Sequence, residues 1–301
     1  MKLYVLFTGL VSKDYLSGGD QLFLDLASRL PANIDITVIT LEFAKKHWQT
    51  NELKKIKPRY LPKNIFDFHS SPLLIFLSYC VRAWQAYAIL KREKNIDVIY
   101  SCSDVAYADI WPAYCILGTK PKVKWITRIY HILLRPQNRQ GNQLVNFIAF
   151  YLQQLSFWLM KKRSRHILAL NSRLRDELLS LGFPKKQLGV LGAGVDFKRI
   201  HQFKTKKKYP YVAVVLGRIA PVKGIFDMVK IWKQVTQHNQ KWKLAWIGTG
   251  GYTKKLQAQI VKNGLEHNFH LLGFLPKKEI YKIFKSSLLF LCPDHENGWG
   301  L

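Results

Sequence analysis

Tyr211–Gly224 reads YVAVVLGRIAPVKG, and the fold of the chain is decided there. Val212, Val214, Val215 and Leu216 form a β-branched, apolar run, the pattern of a strand buried on both faces. Gly217 breaks the run, and a short loop then carries Arg218 and Lys223. From Ile225 onward, Met228, Val229, Trp232 and Val235 recur at helical spacing, which predicts a helix with one face on a core. Buried strand, cationic loop and helix N-terminus together make a place for an anion, because amide dipoles and fixed charges point the same way. The same two cations also suit an ordinary solvated loop, and spacing alone does not choose between the readings.

Working outward, the pattern repeats. Downstream the sequence predicts a strand at 243–247 ending in Gly248-Thr249-Gly250, a helix at 254–262, a strand at 269–272, a helix opened by Pro276 and a strand at 288–292. Upstream, His201–Pro210 (HQFKTKKKYP) is charged and aperiodic, so it reads as a linker between a domain of residues 1–203 and one of residues 204–301. The first domain opens as strand, glycine loop, helix and strand. Gly18-Gly19 precede a helix with Phe23, Leu26, Ala27 and Leu30 on one face, and Ile34–Thr40 alternates toward the second strand. Residues 51–72 are basic and broken by Pro58, Pro62 and Pro72, and are expected to hold little regular structure. A helix is expected over 73–92, strands over 97–102, 124–130 and 167–170, and a short helix from Ser172 to Leu181. Val190–Asp196 reads as a glycine-rich turn.

Residues 143–160 are the most apolar helix and run directly into Lys161-Lys162-Arg163 and Arg165. Two readings stand: a helix lying on a membrane with its cations at the headgroups, or a core helix whose Asn146, Gln153 and Gln154 mark a solvated edge. No run of eighteen apolar residues occurs, so no spanning helix is expected. The N-terminus reads as a first strand, not a signal peptide.

The formal charge is +28, with 13 Lys and Arg against 5 Asp and Glu in residues 209–301, a balance of +8 that leaves +20 for residues 1–208. The charge is therefore spread over the whole surface and favours polyanions in general. Cys80, Cys102, Cys115 and Cys292 sit in apolar stretches without C-x-x-C pairing, and read as reduced core residues of a cytoplasmic protein. His267 and His270 fall around a strand, and Asp294-His295-Glu296 are consecutive, so no metal site is expected. Nucleophile-elbow, Walker and G-x-G-x-x-G patterns are absent. A nucleic-acid partner is not expected, because the tryptophans interleaved with lysine occupy positions that a core claims. His131, alone after a strand, reads on its own as a packed loop residue.

Several motifs in order carry a resemblance: GRIAPVKG at 217–224, AWIGTGG at 245–251, LLGFLPKKEIYKIFKSS at 271–287 and LCPDHENGWGL at 291–301. With the N-terminal glycine pair, NSRLRDELLSLGF at 171–183 and GAGVD at 192–196, the chain resembles the GT-B glycosyltransferases of family 4, retaining enzymes that use sugar nucleotides. The resemblance implies an α/β fold of two Rossmann-like domains facing a cleft, the first on the acceptor side and the second binding the nucleotide sugar. Arg218 and Lys223 would grip the donor diphosphate. Gly18, Gly19 and Gly217 would lie close to its phosphates, and His131 would face the transferred sugar. Gly248 and Gly250 would border the cleft, and the loop holding Leu275 would meet the base. Glu296 would contact sugar hydroxyls, with Asn297 and Gly298 beside it.

Three departures stand out. Asp20-Gln21 replaces the usual glutamate after the glycine pair, and Asn297 intervenes before Gly298-Trp299-Gly300, so the first-glutamate position falls on Glu296 or Asn297. The second glutamate of the motif would fall beyond Leu301, so the second domain is expected to be incomplete and the 301-residue chain marginal and nearly inactive by itself. The expected partners are a UDP- or GDP-sugar, a glycan or lipid-linked acceptor of cell-envelope polysaccharide, and an anionic membrane surface on the cytoplasmic side, with no cofactor. A sugar-nucleotide epimerase on the same fold, or a non-catalytic nucleotide- or membrane-binding protein, are the alternatives.

Overall fold

A computed structural model of the chain describes residues 1–9, 18–48, 53, 55–69, 71–139, 142–195, 197–203 and 209–294. The chain divides into two compact units, Met1–Gly194 and Val195–Gly300.

The first unit is built on seven parallel strands: β1 (Lys2–Phe7), β2 (Asp35–Leu41), β3 (Ile56–Leu61), β4 (Val98–Ser101), β5 (Lys124–Ile129), β6 (His166–Ala169) and β7 (Leu188–Val190). They lie in the order β3-β2-β1-β4-β5-β6-β7, so the direction of winding reverses between β1 and β4. The helices are α1 (Gly18–Ala27), α2 (Lys45–Trp48), α3 (Pro72–Arg92), α4 (Trp111–Thr119), α5 (Gln143–Arg163) and α6 (Ser172–Ser180). A parallel sheet covered by helices buries both faces of its strands, which is why β1 shows five successive buried residues and not alternation. Trp125 is fully buried in β5 and its indole N–H donates to the Ser101 hydroxyl at 3.0 Å.

Three elements depart from expectation. β3 lies where little structure was expected: it is the edge strand, so Pro58 removes no needed ladder donor, and its Lys57 and Arg59 are exposed. β7 is a three-residue edge strand containing Gly189, too short for any periodicity to register. The glycine pair does not precede its helix but forms the first turn of it.

The helix α5 inverts its expected faces. Asn146 and Gln153 are buried at 6% and 5% exposure, where a solvated edge was expected. Leu144, Phe147, Ile148, Tyr151 and Trp158 point outward instead. The cause is local: Asn146 donates to the Arg139 carbonyl at 3.2 Å, and Gln153 bonds the loop after β5, so the polar side chains satisfy buried backbone. By length and composition α3 is apolar enough to cross a membrane, yet its inner face holds Arg82, ion-paired to Asp67 inside the unit.

The second unit carries α7 (Phe197–Gln202), β8 (Ala213–Leu216), α8 (Ile225–His238), β9 (Leu244–Ile247), α9 (Thr253–Lys262), β10 (Phe269–Gly273), α10 (Lys277–Ser286) and β11 (Leu289–Phe290). Its sheet is parallel, in the order β10-β9-β8-β11. Alternation in β8 divides the core: Ala213 and Val215 pack with Ile225, Met228, Val229 and Trp232 of α8, while Val214 and Leu216 pack with Ile283, Ile280 and Phe284 of α10. The unit begins earlier than the division at 203/204 expected from the linker. Residues before that point pack on α10, where Lys285 donates to the carbonyls of His201 and Phe203, and Phe203 meets the Tyr281 ring. Of the four cysteines, Cys102 is buried, Cys80 and Cys115 are half-buried, and Cys292 is exposed instead of in the core.

Candidate functional site

In the second unit the carboxyl ends of β8, β9 and β10 are tied together by backbone. The Gly217 N–H donates to the Ile247 carbonyl at 3.0 Å, the Ile219 N–H to Thr249 at 3.0 Å, and the Gly248 N–H to Gly273 at 2.8 Å. The Trp246 indole, fully buried, donates back to the Gly217 carbonyl at 2.9 Å. Three glycines are required by this packing. A Cβ on Gly248, at φ +139, would meet the Gly217 carbonyl oxygen at 2.1 Å, and one on Gly250 would meet that of Ile219 at 2.1 Å. Gly224 has φ +64, and a Cβ there would fall 2.1 Å from the Pro293 carbonyl oxygen.

Gly224 is also the residue from which α8 springs, so the first-turn amides of a fourteen-residue helix face the loop that holds the cations. Arg218 is exposed at the end of β8. Lys223 closes a 3-10 turn of Pro221–Lys223 and forms an ion pair with Asp294, its side chain 31% exposed and that of Asp294 16%. Leu275 follows β10 and packs against the core beneath Leu216 and Ile247. Thus Gly217, Arg218, Lys223, Gly248, Gly250 and Leu275 all stand at the carboxyl end of one parallel sheet. Asp294, considered from the sequence only as one of three consecutive residues unsuited to a metal, belongs with them as the counter-ion of Lys223.

In the first unit Gly18 and Gly19 open α1. The Tyr130 hydroxyl donates to the Gly19 carbonyl at 3.0 Å, and its ring lies so close that a Cβ on Gly19 would meet it at 2.9 Å. The Arg128 guanidinium covers that ring at 5.1 Å and donates to the Leu191 carbonyl at 3.0 Å. Tyr130 therefore joins the glycine turn to the segment after β5, where the next residue is His131, exposed. The end of β1 is fixed separately. Thr8 gives its N–H and hydroxyl to the Asp109 carboxylate, both at 2.8 Å, and its carbonyl accepts from Arg82 at 3.2 Å. Asp109 sits in a single π turn, Ala106–Ile110, that leads into α4. Tyr130, Asp109 and Arg82 carry no motif of their own, and only the spacing of Tyr130 next to His131 pointed to the first of them.

Glu296, Asn297 and Gly298 lie outside the described residues. Among the described residues no three His, Cys, Asp or Glu side chains stand together as metal ligands do.

Residues 196–301 match the family model described as Glycosyl transferases group 1. Two curated relatives match shorter stretches. The uncharacterized glycosyltransferase MJ1059 of Methanocaldococcus jannaschii is 32% identical over 90 residues, 30% of this chain and 22% of that protein. WcaL of Salmonella typhimurium, named as a glycosyltransferase of colanic acid biosynthesis, is 23% identical over 134 residues, 44% of this chain and 33% of that protein. The matched stretches thus span a third or less of those relatives' own length. Among solved structures, that of Anabaena Alr3699/HepE in complex with UDP and glucose superposes with a TM-score of 0.68 at 16% identity, covering 99% of this chain and 75% of that one. The chain accordingly has the α/β fold of the GT-B glycosyltransferases, with parallel sheets in both units, and its residues 196–301 are similar to the group 1 glycosyl transferases.

Proposed function

We propose that the protein is a glycosyltransferase that moves a hexosyl group, with retention of configuration, from a UDP- or GDP-sugar to a glycan or lipid-linked acceptor of the cell envelope. The observation that carries the reading is the Gly217–Gly224 loop: Arg218, Lys223 and the first turn of α8 converge where a parallel sheet ends. A leaving nucleoside diphosphate develops charge as the glycosidic bond breaks, and stabilising that charge is the largest catalytic effect such a site offers. Asp294 neutralises Lys223. A diphosphate that takes over that lysine displaces the Asp294 carboxylate, which has to turn away from the incoming anion. No resident cofactor or metal enters this scheme. Glu296 serves the sugar hydroxyls in it, and His131 faces the sugar. The UDP bound by HepE supports a uridine donor, and the name of WcaL supports an envelope polysaccharide.

Peripheral attachment to the inner face of an anionic membrane completes the reading. It is supported by the outward apolar stripe of α5, which ends in Trp158 with the Lys162 ammonium 3.7 Å over its ring. Beside it a groove of about 800 Å³ is lined by Lys122, Lys124, Lys162, Arg163, Arg165 and Lys186. The deciding experiment is calorimetric titration of the chain with UDP-, GDP- and ADP-hexoses, followed by a transfer assay on the one that binds. Binding of one sugar nucleotide in preference to free sugar is the expected result. Failure of all three to bind would remove the donor assignment.

A further inference from the structure

The groove beside Trp158 gathers more unpaired charge than a surface contact requires. It lies at the amino ends of β5, β6 and β7, where the turns at 121–124, 164–166 and 186–187 come together. Its floor belongs to the core: Val123 and Trp125 are buried, and buried Ser164 gives its hydroxyl to the His166 carbonyl at 2.9 Å. The Arg165 N–H donates to the Trp125 carbonyl at 2.8 Å, which fixes that turn against the start of β5, where Lys124 stands. In the wall, the Gln187 amide nitrogen donates to the Lys161 carbonyl at 3.3 Å, while its oxygen is buried and meets no donor among the described residues. A buried acceptor left open in this way suits a ligand hydroxyl or a water.

Capping accounts for part of the charge. The Lys161 ammonium donates to the Leu181 carbonyl at 2.6 Å, Arg163 to the Tyr114 carbonyl at 3.0 Å, and Lys162 rests on the Trp158 ring. Lys122, Lys124, Arg165 and Lys186 have no such duty. All four are exposed, and among the described residues none of their side chains makes a hydrogen bond, ion pair or ring contact. Lys122 and Arg165 lie beyond the last turns of α4 and α5, and Lys124 and Lys186 lead into β5 and β7, so helix dipoles do not account for them. Among the described residues no Asp or Glu lines the groove. The site also stands apart from the groups assigned to sugar transfer. Lys124 opens β5 and His131 lies just past its end, roughly 20 Å away at the rise of a strand.

We propose that this groove is a discrete site for a ligand carrying two or more phosphate groups, separate from the donor loop of the second unit. Four unpaired cations match such a ligand in charge, their turns are fixed by strand pairing, and no carboxylate of the lining opposes the anion. Phosphates in that arrangement come from a soluble polyphosphate ester or from adjacent headgroups of an anionic leaflet, and the chemistry of recognition is the same. The site does not depend on the transferase reading.

The test is calorimetric titration with inorganic tripolyphosphate in a Lys223→Ala background, which disables the donor loop. Saturable one-to-one binding is expected. Lys124→Gln/Arg165→Gln/Lys186→Gln, at exposed positions that leave the urea unfolding midpoint in place, is expected to weaken it about tenfold or more, the sum of three exposed charge contacts. Lys241→Gln/Lys254→Gln/Lys262→Gln takes the same charge from exposed or half-exposed positions of the second unit, and is expected to change the affinity by less than about twofold. Equal losses in the two triple variants, or none in the groove variant, overturn the proposal, because the anion then answers the field of the whole chain. Absence of binding in Lys223→Ala alone overturns it too, since the probe then binds only at the donor loop. Sedimentation with phosphatidylglycerol vesicles identifies the source of the phosphates. Release of the chain by tripolyphosphate, beyond that caused by chloride of equal ionic strength, assigns the groove to headgroups; sedimentation left unchanged assigns it to a soluble ligand. With Lys223 intact, the groove variant is expected to hold its sugar nucleotide within about twofold. Failure of the donor assignment and failure of the groove are therefore seen separately.

Discussion

Replacing Arg82 by methionine is expected to cost the first unit about 3 kcal/mol at pH 7, with the loss shrinking as the pH falls. Arg82 and Asp67 have side chains 5% and 1% exposed, and the guanidinium reaches one carboxylate oxygen twice, from Nη2 at 2.6 Å and from Nε at 3.1 Å. Removing one partner of a buried ion pair strands the other, at a cost of about 3–5 kcal/mol. The lower end applies here, because Asp67 keeps the Ser78 hydroxyl at 2.6 Å, the Asn64 N–H at 2.9 Å and the Asn64 amide at 3.1 Å. Burial alone would push the Asp67 carboxyl up, but the Ser78, Asn64 and Arg82 bonds together hold it below its ordinary value of 3.8. A carboxyl held low in the folded chain contributes stability above its unfolded value and loses it as the pH falls through the folded one. Arg82→Met removes the Arg82 share of that contribution and leaves those of Ser78 and Asn64, so the gap between wild type and variant narrows as the pH falls through the ordinary carboxyl value and below it. Urea unfolding at a series of pH values, read by tryptophan fluorescence, measures the gap. A gap below about 1 kcal/mol at pH 7, or one that stays constant on acidification, refutes the reasoning.

Four further outcomes are expected. Gly224→Ala combines a left-handed φ of +64 with overlap on the Pro293 carbonyl, and should destabilise the second unit by more than about 2 kcal/mol in denaturant titrations. Lys223→Ala should weaken nucleoside diphosphate binding by about 1.5–3 kcal/mol in calorimetry, the range for hydrogen bonds to a charged group; unchanged affinity would remove Lys223 from the site. Exposed Cys292 should react with a thiol reagent at pH 8 well before Cys80 and Cys115, whose thiols burial pushes up and so keeps protonated. Trp158→Ala with Lys162→Ala should reduce sedimentation with phosphatidylglycerol vesicles and leave the weaker association with phosphatidylcholine unchanged, and equal losses on both would argue against an anionic surface.

Where hydrophobic pattern and local chemistry agreed, the sequence was legible. β8 and α8 are an apolar run followed by a helical stripe, and of the residues read as inward Ile225, Met228, Val229 and Trp232 are buried and Val235, near the helix end, is half-buried. β3 was not legible because an edge strand tolerates proline and lysine, the residues that otherwise argue against strands. α5 misled for a different reason. Periodicity sorts apolar from polar, but it does not record that Asn146 and Gln153 have buried carbonyls and amides to serve, or that its apolar stripe faces outward. In the candidate site, the glycines and cations of the second unit are visible because each marks a break in a pattern. Tyr130 and Asp294 act through contacts far away in sequence, such as Tyr130 with Gly19, and no spacing reveals those.

The loops after β8, β9 and β10 are locked together by main-chain contacts, with Gly248 against Gly217 and Gly273, and Gly250 against Ile219. For anyone altering the specificity of such a protein, this makes them a single exchangeable cassette. A side-chain library at Gly248 or Gly250 samples only collisions, since no rotamer removes a backbone oxygen 2.1 Å away. Diversity belongs instead at exposed Phe274, which hangs from the cassette without holding it together, or in a graft that carries all three loops from one donor sequence.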